Sequence, residues 1–351
     1  MTTMPNTVPA DLSTLDAMPR VSLYPAPTPI EPLPRLSEAN GGASIWVKRD
    51  DAHPLAFGGN KVRQLEFSFG AAEAKGADTV LITGAVQSNY CRLAAAYAAR
   101  LGMACHIQHE ERVSGVSEIY RHSGNVLIEQ LLGAEFHSYP AGEDEGGADR
   151  AMEALADRLR AEGLTPYVIH LGPGHPPLGA LGYVVAARET LTQLGEMGLR
   201  PDRIIVPSGS GATHAGFLFG LRALGDQTPV TGICVRRAAR LQQPRIIHRC
   251  SEIAALLEIE NPVKDSDVVV NDRFLAPGYG HLNLPTERAI RLAARTEAII
   301  LDPVYTGKCV AGVLAAAGNH TPSETVLFLH TGGTPGIFAY ADKLSAVAQR
   351  S

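Results

Sequence analysis

The chain of 351 residues is about twice a typical domain, and its 45% hydrophobic content is enough for a sizeable core. With 31 basic against 36 acidic side chains the formal charge is −5; this excludes a polyanion binder with a broad basic face and, at 19% charged residues, a disordered acidic chain. No run of about 18 apolar residues suggests a membrane span, and residues 1–20 hold Asp11, Asp16 and prolines but no apolar stretch of a secretory signal.

In chain order, residues 1–35 hold Pro5, Pro9, Pro19, Pro25, Pro27, Pro29, Pro32 and Pro34, which predicts an irregular arm wrapped on a domain. Strands are then predicted at Thr79–Thr83, Ala104–Gln108, Glu135–His137, Tyr167–Leu171, Arg203–Pro207, Val230–Val235, Val268–Val270, Ala298–Leu301 and Val326–His330. Helices are predicted between them at Ser88–Leu101, Gly124–Leu132, Arg150–Glu162, Leu178–Leu194, Thr213–Leu224, Arg240–Leu257, Pro285–Arg295, Cys309–Ala317 and Gly336–Ala346. A second irregular stretch is Gly172-Pro173-Gly174-His175-Pro176-Pro177. Repeated βα units argue for parallel sheets covered by helices. About nine strands exceed one comfortable sheet, so two three-layer α/β domains are expected, with functional residues just after strand ends. The scattered cysteines (Cys91, Cys105, Cys234, Cys250, Cys309) form no C-x-x-C pair and read as reduced thiols of a cytoplasmic protein.

Five segments carry chemistry, several of them just after predicted strand ends. Gly58-Gly59-Asn60-Lys61 opens an amphipathic segment; Asn60 suits an N-cap, and Lys61 in a first helical turn opposes the positive helix end, which lowers its pKa. Alone, such a residue reads more readily as an ordinary surface lysine. Gln87-Ser88-Asn89 after Thr79–Thr83 suits a carboxylate at a helix start, or a plain cap. Ser208-Gly209-Ser210-Gly211-Ala212-Thr213 feeds a helix and suits a small monophosphate. No Gly-Lys-Ser/Thr follows, so it is no P-loop. Tyr279 in Ala276–Gly280 and Tyr305 in Leu301–Lys308 present phenols, and Thr331-Gly332-Gly333 offers a hydroxyl and amides. Of the 12 histidines none forms H-E-x-x-H, and His248 with Cys250 is isolated, so no metal site is expected. Ser210 between glycines lacks the G-x-S-x-G spacing of a hydrolase.

A lysine at a helix start, an anion turn, a phosphate loop and two phenols point together to pyridoxal phosphate. The chain resembles the D-cysteine desulfhydrase and 1-aminocyclopropane-1-carboxylate deaminase family, of the tryptophan-synthase-β-like, fold type II group. The resemblance runs from Lys48-Arg49-Asp50-Asp51 to His330-Thr331-Gly332-Gly333. It implies a larger cofactor domain (1–63 plus 176–351) with a smaller α/β domain (64–175) inserted, an active site between them, and a homodimer. It also implies that Lys61 is the Schiff-base lysine. Asn89 bonds the cofactor's 3-oxygen, and Ser88 belongs to the substrate carboxylate site. The loop from Ser208 through Gly209, Ser210, Gly211 and Ala212 to Thr213, with Asn60, holds the cofactor and its phosphate. Tyr279 and Tyr305 are the active-site phenols, and Thr306 and Thr331 meet the pyridine nitrogen.

Thr306 stands where the deaminase branch of that family carries glutamate. A hydroxyl leaves the pyridine ring neutral, which disfavours cyclopropane opening and favours β-elimination. The expected reaction releases a 2-oxo acid, ammonia and sulfide from a small β-substituted amino acid. A lyase for another such substrate, cysteate for example, and the deaminase itself remain alternatives, as does a non-catalytic cofactor-binding protein. Departures are the segment Tyr90-Cys91-Arg92 after Asn89, where the family pattern has His, a small or β-branched residue and Arg; Gln64 in place of a basic residue; and Gly172–His175 in place of a Gly-Gly-Ser-like stretch. They flank the expected site and bear on substrate, not cofactor.

Overall fold

The computed structural model describes residues 9–172, 174–317 and 324–347; Pro5 and Pro173 lie outside the described residues. Ten strands form two sheets among them. β1 (Ile30–Pro32), β2 (Ser44–Lys48), β7 (Arg203–Ser208), β8 (Val230–Cys234), β9 (Val269–Asn271) and β10 (Thr325–Leu329) make a six-stranded sheet in the order β1-β2-β10-β7-β8-β9, parallel except for β1. β3 (Thr79–Ala85), β4 (Ala104–Glu110), β5 (Glu135–Tyr139) and β6 (Pro166–Ile169) make a parallel sheet in the order β5-β4-β3-β6. All of β3 is buried, which explains its unbroken apolar run. The α/β class and mainly parallel sheets are as expected from the βα alternation.

The differences have local causes. Most of residues 9–29 is irregular, as expected, but a short helix spans Ser13–Ala17, and β1 is an edge strand, where proline is tolerated. β2, unpredicted, is held by pairing with β10 on one side and β1 on the other. Ala298–Leu301 is no strand. β10 already has β2 and β7 as neighbours, and the segment instead leaves helix Leu284–Glu297 through a left-handed Ala298. The helix predicted from Arg150 starts at Glu145, because Asp144 accepts the amide of Gly147. The C-terminal helix divides into a 3₁₀ segment, Thr334–Tyr340, and Ala341–Val347.

Helix Leu178–Met197 is the internal support. On one side a Cβ on Gly182 would fall 2.0 Å from the Arg63 carbonyl of helix Lys61–Ala74. On the other, a Cβ on Gly216 of helix Ala212–Ala223 would fall 2.1 Å from the Ala180 carbonyl. Glycine alone permits both crossings, and they bring the starts of two helices to one place. A buried ionic cluster fixes the arrangement. Arg63 donates to Asp50 Oδ1 and Oδ2 (3.0 and 3.2 Å) and to both Glu189 oxygens (2.9 Å each); Lys48 of β2 donates to Glu189 and to Thr28 O, and Tyr183 donates to Asp50. Burial alone raises the Asp50 pKa, but Arg63 and Lys48 outweigh it and hold the carboxyl at about 2.

Removing one partner leaves buried charge uncompensated, so Glu189→Ala is expected to cost about 3–5 kcal/mol in thermal or denaturant unfolding. The depressed Asp50 pKa adds stability that is complete above the ordinary value of 3.8 and lost as pH falls toward about 2. Unfolding free energy measured against pH should fall across that window in the native chain, and Asp50→Asn should lose this part of the slope.

Candidate active site

A cleft of about 770 Å³, its open mouth included, lies past the carboxyl ends of β3, β4, β6, β7, β8 and β10. Lys61 is the first residue of its helix, as expected. Asn60 precedes it but makes no side-chain cap; its amide donates instead to Thr213 Oγ1 at 2.7 Å. Lys61 Nζ donates to Gln64 Oε1 at 3.0 Å and lies 5.1 Å from the centre of the Tyr90 ring. Among the described residues no acidic group pairs with it, and burial lowers its pKa to about 8. Desolvation, rather than the helix end, is the cause. Gln64 and Tyr90 thus touch the lysine itself.

The Lys61 loop is pinned to the turn after β10. Asn60 N donates to Thr331 O at 3.0 Å, and Gly59 N to Asp50 O at 2.9 Å. Gly59 (φ +114°) and Gly332 (φ +81°) lie back to back, so that a Cβ on Gly332 would sit 2.6 Å from Gly59 Cα.

The Gly/Ser loop divides in two. Gly209, Ser210, Gly211 and Thr213 line the cleft, but Ser208 and Ala212 do not. Ser208 faces inward, its hydroxyl accepting from Gln242 Nε2 (2.9 Å) beside His214 Nδ1 (3.2 Å). The carbonyls of Gly209 and Ser210 are drawn outward by Gln242, Arg237 and Arg245. Among the described residues no protein acceptor takes the amide hydrogens of Gly209 to Thr213. Thr213 Oγ1 already accepts from Asn60 and from Gln64 Nε2 (2.8 Å), so its own hydrogen is left to donate. Free amides at a helix start and one free hydroxyl fit a phosphate.

The three residues after β3 play different parts. Gln87 does not face the cleft; it accepts from Asn125 N and donates to Tyr120 O and Ser123 O. Ser88 caps helix Asn89–Leu101 by accepting from Tyr90 N and Cys91 N, both at 3.2 Å, and keeps its hydrogen to donate. Ser88 and Asn89 both line the cleft.

Opposite stand the phenols. Tyr279 and Tyr305 line the cleft with their hydroxyls 2.7 Å apart. Burial first, then the neighbouring phenol, raises the Tyr305 pKa well above its usual value. Lys308 donates to Leu275 O and Gly278 O, holding the turn that presents Tyr279. Thr306 lies off the cleft. Its hydroxyl donates to Asp302 Oδ1 and accepts from Asp302 N, because Asp302 caps the helix that Thr306 opens. Of the two threonines assigned to the pyridine nitrogen, Thr331 lines the cleft.

Sequence reasoning missed Arg112 and Arg236, which also line the cleft. Glu110 holds Arg112 by two bonds of 2.9 Å, and Glu145 holds Arg236 at 3.0 Å. Each follows a strand end, and that position was the available signal. Two histidine–carboxylate groups form that linear spacing did not suggest. In Asp149, His170 and His175 the rings stack face to face at 3.5 Å and 1°, so their in-plane lone pairs do not converge on one ion. In His106, Glu135 and His137 the two rings are 3.1 Å apart at nitrogen, the length of an ordinary N–H···N bond.

Gly332→Ala tests the back-to-back glycines. Strain of about 1–3 kcal/mol at the Lys61 loop should weaken retention of pyridoxal phosphate by about tenfold, read by equilibrium dialysis; unchanged retention contradicts the role given to that contact.

The family described as pyridoxal-phosphate dependent enzyme matches residues 21–332. A D-cysteine desulfhydrase of Salmonella choleraesuis (strain SC-B67) is 41% identical over 329 residues, 93% of this chain and 97% of that one. One from Klebsiella pneumoniae is 40% identical over 331 residues, 94% and 98% of the two chains. The solved structure of an ACC deaminase homologue superposes with a TM-score of 0.85 at 36% identity, covering 96% of this chain and 98% of that one. An O-ureido-L-serine synthase at 20% identity and a TM-score of 0.66 shares the fold. The unpaired loop amides, the free Thr213 hydrogen and the buried, uncompensated Lys61 agree with that match, and the chain belongs to the pyridoxal-phosphate-dependent enzymes.

Proposed function

We propose that this enzyme carries out β-elimination on D-cysteine, giving a 2-oxo acid, ammonia and sulfide. The observation that carries the reading is the pairing, in one cleft, of a lysine with a pKa near 8 and a hydrogen-bonded pair of phenols. The curated relatives named for this activity support it across nearly the whole chain. In the same reading residues 64–175 form a smaller domain inserted in a larger one, and the enzyme works as a cytoplasmic homodimer. That all strands of the four-stranded sheet fall between Thr79 and Ile169 supports the division.

When bound, the cofactor supplies a sink for the electron pair left at the α-carbon. The residues of the chain do the rest. Gly209–Thr213 hold the phosphate, Asn89 meets the 3-oxygen, and Thr331 is the hydroxyl left for the ring nitrogen. Ser88, with the hydrogen its hydroxyl keeps, and the positive start of helix Asn89–Leu101 take the substrate carboxylate. Lys61, neutral above about pH 8, accepts the α-proton. Tyr305, whose proton is held tightly by burial, stays protonated and with Tyr279 delivers a proton to the departing sulfur. Arg112 in the same cleft favours a second reading, an anionic β-substituent such as the sulfonate of cysteate.

Single amino acids of both hands, incubated with the loaded enzyme, separate these readings. D-cysteine should give 2-oxo acid, ammonia and sulfide in equal amounts. Sulfite from cysteate with no sulfide from D-cysteine moves the assignment to the second reading, and 2-oxobutyrate from the cyclopropane amino acid contradicts both. For the preferred substrate, kcat should rise with pH to an inflection at about 8, set by Lys61, with no fall below the tyrosine range. Lys61→Ala should lose about 10³-fold or more of kcat; a flat profile or an active alanine variant removes the lysine from the chemistry.

A further inference from the structure

One buried cation beside the cleft has no carboxylate. Arg92 is fully buried. Its Nη1 donates to Asn89 Oδ1 at 3.0 Å and Asn125 Oδ1 at 2.9 Å, and its Nη2 to Gly58 O at 2.7 Å; Nε finds no acceptor. Arg63, Arg112 and Arg236 are each held by a carboxylate, and among the described residues none pairs with Arg92. Glu129 and Asp302 act on it only from further off, with no direct bond to the guanidinium among the described residues. A buried guanidinium without a counter-charge is costly. Its place identifies what would balance it.

A guanidinium has donors only, so the Asn89 atom that meets it is Oδ1. The amide is thereby turned, and the N–H₂ on its other branch is the group left for the cleft that Asn89 lines. We propose that Arg92 is a positioning residue that orients the Asn89 amide and, through it, supplies the positive charge that keeps the phenolic 3-oxygen of the cofactor ionised. The same guanidinium holds Gly58 O and so ties the Lys61 loop to the start of helix Asn89–Leu101. The inference rests on the reading in which Asn89 meets that oxygen. It explains why an uncompensated charge persists in a sealed position, since the missing anion arrives with the cofactor.

The test compares wild type, Arg92→Gln and Arg92→Lys, each loaded with pyridoxal phosphate, by absorption spectra across pH together with the amount of cofactor retained. In Arg92→Gln the long-wavelength band of the lysine-bound cofactor should give way to the near-ultraviolet band of an un-ionised 3-oxygen. The ratio of the two should fall by about tenfold, the change that one pKa unit makes. Arg92→Lys, which returns a charge, should restore most of the ratio. A glutamine variant that binds the cofactor with the wild-type spectrum overturns the proposal, as does a lysine variant that restores nothing. Failure of the wild type to take up pyridoxal phosphate would refute the cofactor reading instead, so the two failures are distinct. Should Arg92→Gln not fold, a crystal structure of the loaded wild type decides. Asn89 Nδ2 within hydrogen-bond reach of the 3-oxygen, with Oδ1 on Arg92 Nη1, supports the proposal. An amide turned the other way, or parted from Arg92, overturns it.

Discussion

The ionic cluster of Lys48, Asp50, Arg63 and Glu189 is the constraint on which the site depends. Arg63 lies two residues after Lys61 on the same helix, and Asp50 accepts the amide of Gly59 through its carbonyl while its carboxylate holds Arg63. Glu189 belongs to helix Leu178–Met197, which also carries helix Ala212–Ala223 through the Gly216 crossing. One set of buried charges therefore fixes the start of the Lys61 helix relative to the phosphate loop. Surface ion pairs would not do this, because solvent screening leaves them weak and mobile. Buried, with every partner present, the cluster is expensive to disturb, and the distance between Lys61 and the loop amides inherits that rigidity.

The cleft itself is built from groups left unpaired on purpose of geometry. Carbonyls of the Gly/Ser loop are pulled away by Gln242, Arg237 and Arg245, and the amides are left behind. Thr213 spends both lone pairs on Asn60 and Gln64 and keeps its hydrogen. Ser88 spends its acceptor capacity on helix amides and keeps its hydrogen as well. Among the described residues Lys61 has Gln64 and the Tyr90 face beside it and no acidic partner. Each feature is an unmet demand for an anion or an aldehyde, and one small phosphorylated cofactor with a carboxylate substrate meets them together.

Much of this was legible in the sequence. The apolar runs of β3, β7 and β10 gave the sheets, because strands buried on both faces cannot alternate. Lys61, Ser88, Asn89 and the glycines after β7 were legible because each follows a strand end or opens a helix, where backbone groups are free. What was not legible depends on partners distant in sequence. Short β2 owes its existence to β10, whose residues it pairs with far along the chain, Ser44 with Thr325 and Lys48 with Leu329. Thr306 reads as a ligand residue until Asp302 is seen to take its hydroxyl, and Asn60 reads as a cap until Thr213 is seen across the cleft. Arg112 sits among ordinary charged residues, and only the fold turns it inward. Arg92 lies three residues after Asn89 in a segment that the sequence analysis singled out, but its lack of a carboxylate is a fact of three dimensions.

The account depends on Lys61 being the residue that the cofactor's aldehyde holds. Borohydride reduction of the loaded enzyme followed by peptide mass mapping tests it directly. A pyridoxyl label on the peptide containing Lys61 is the predicted result; a label on Lys48, Lys75 or Lys308, or on no lysine, would contradict it.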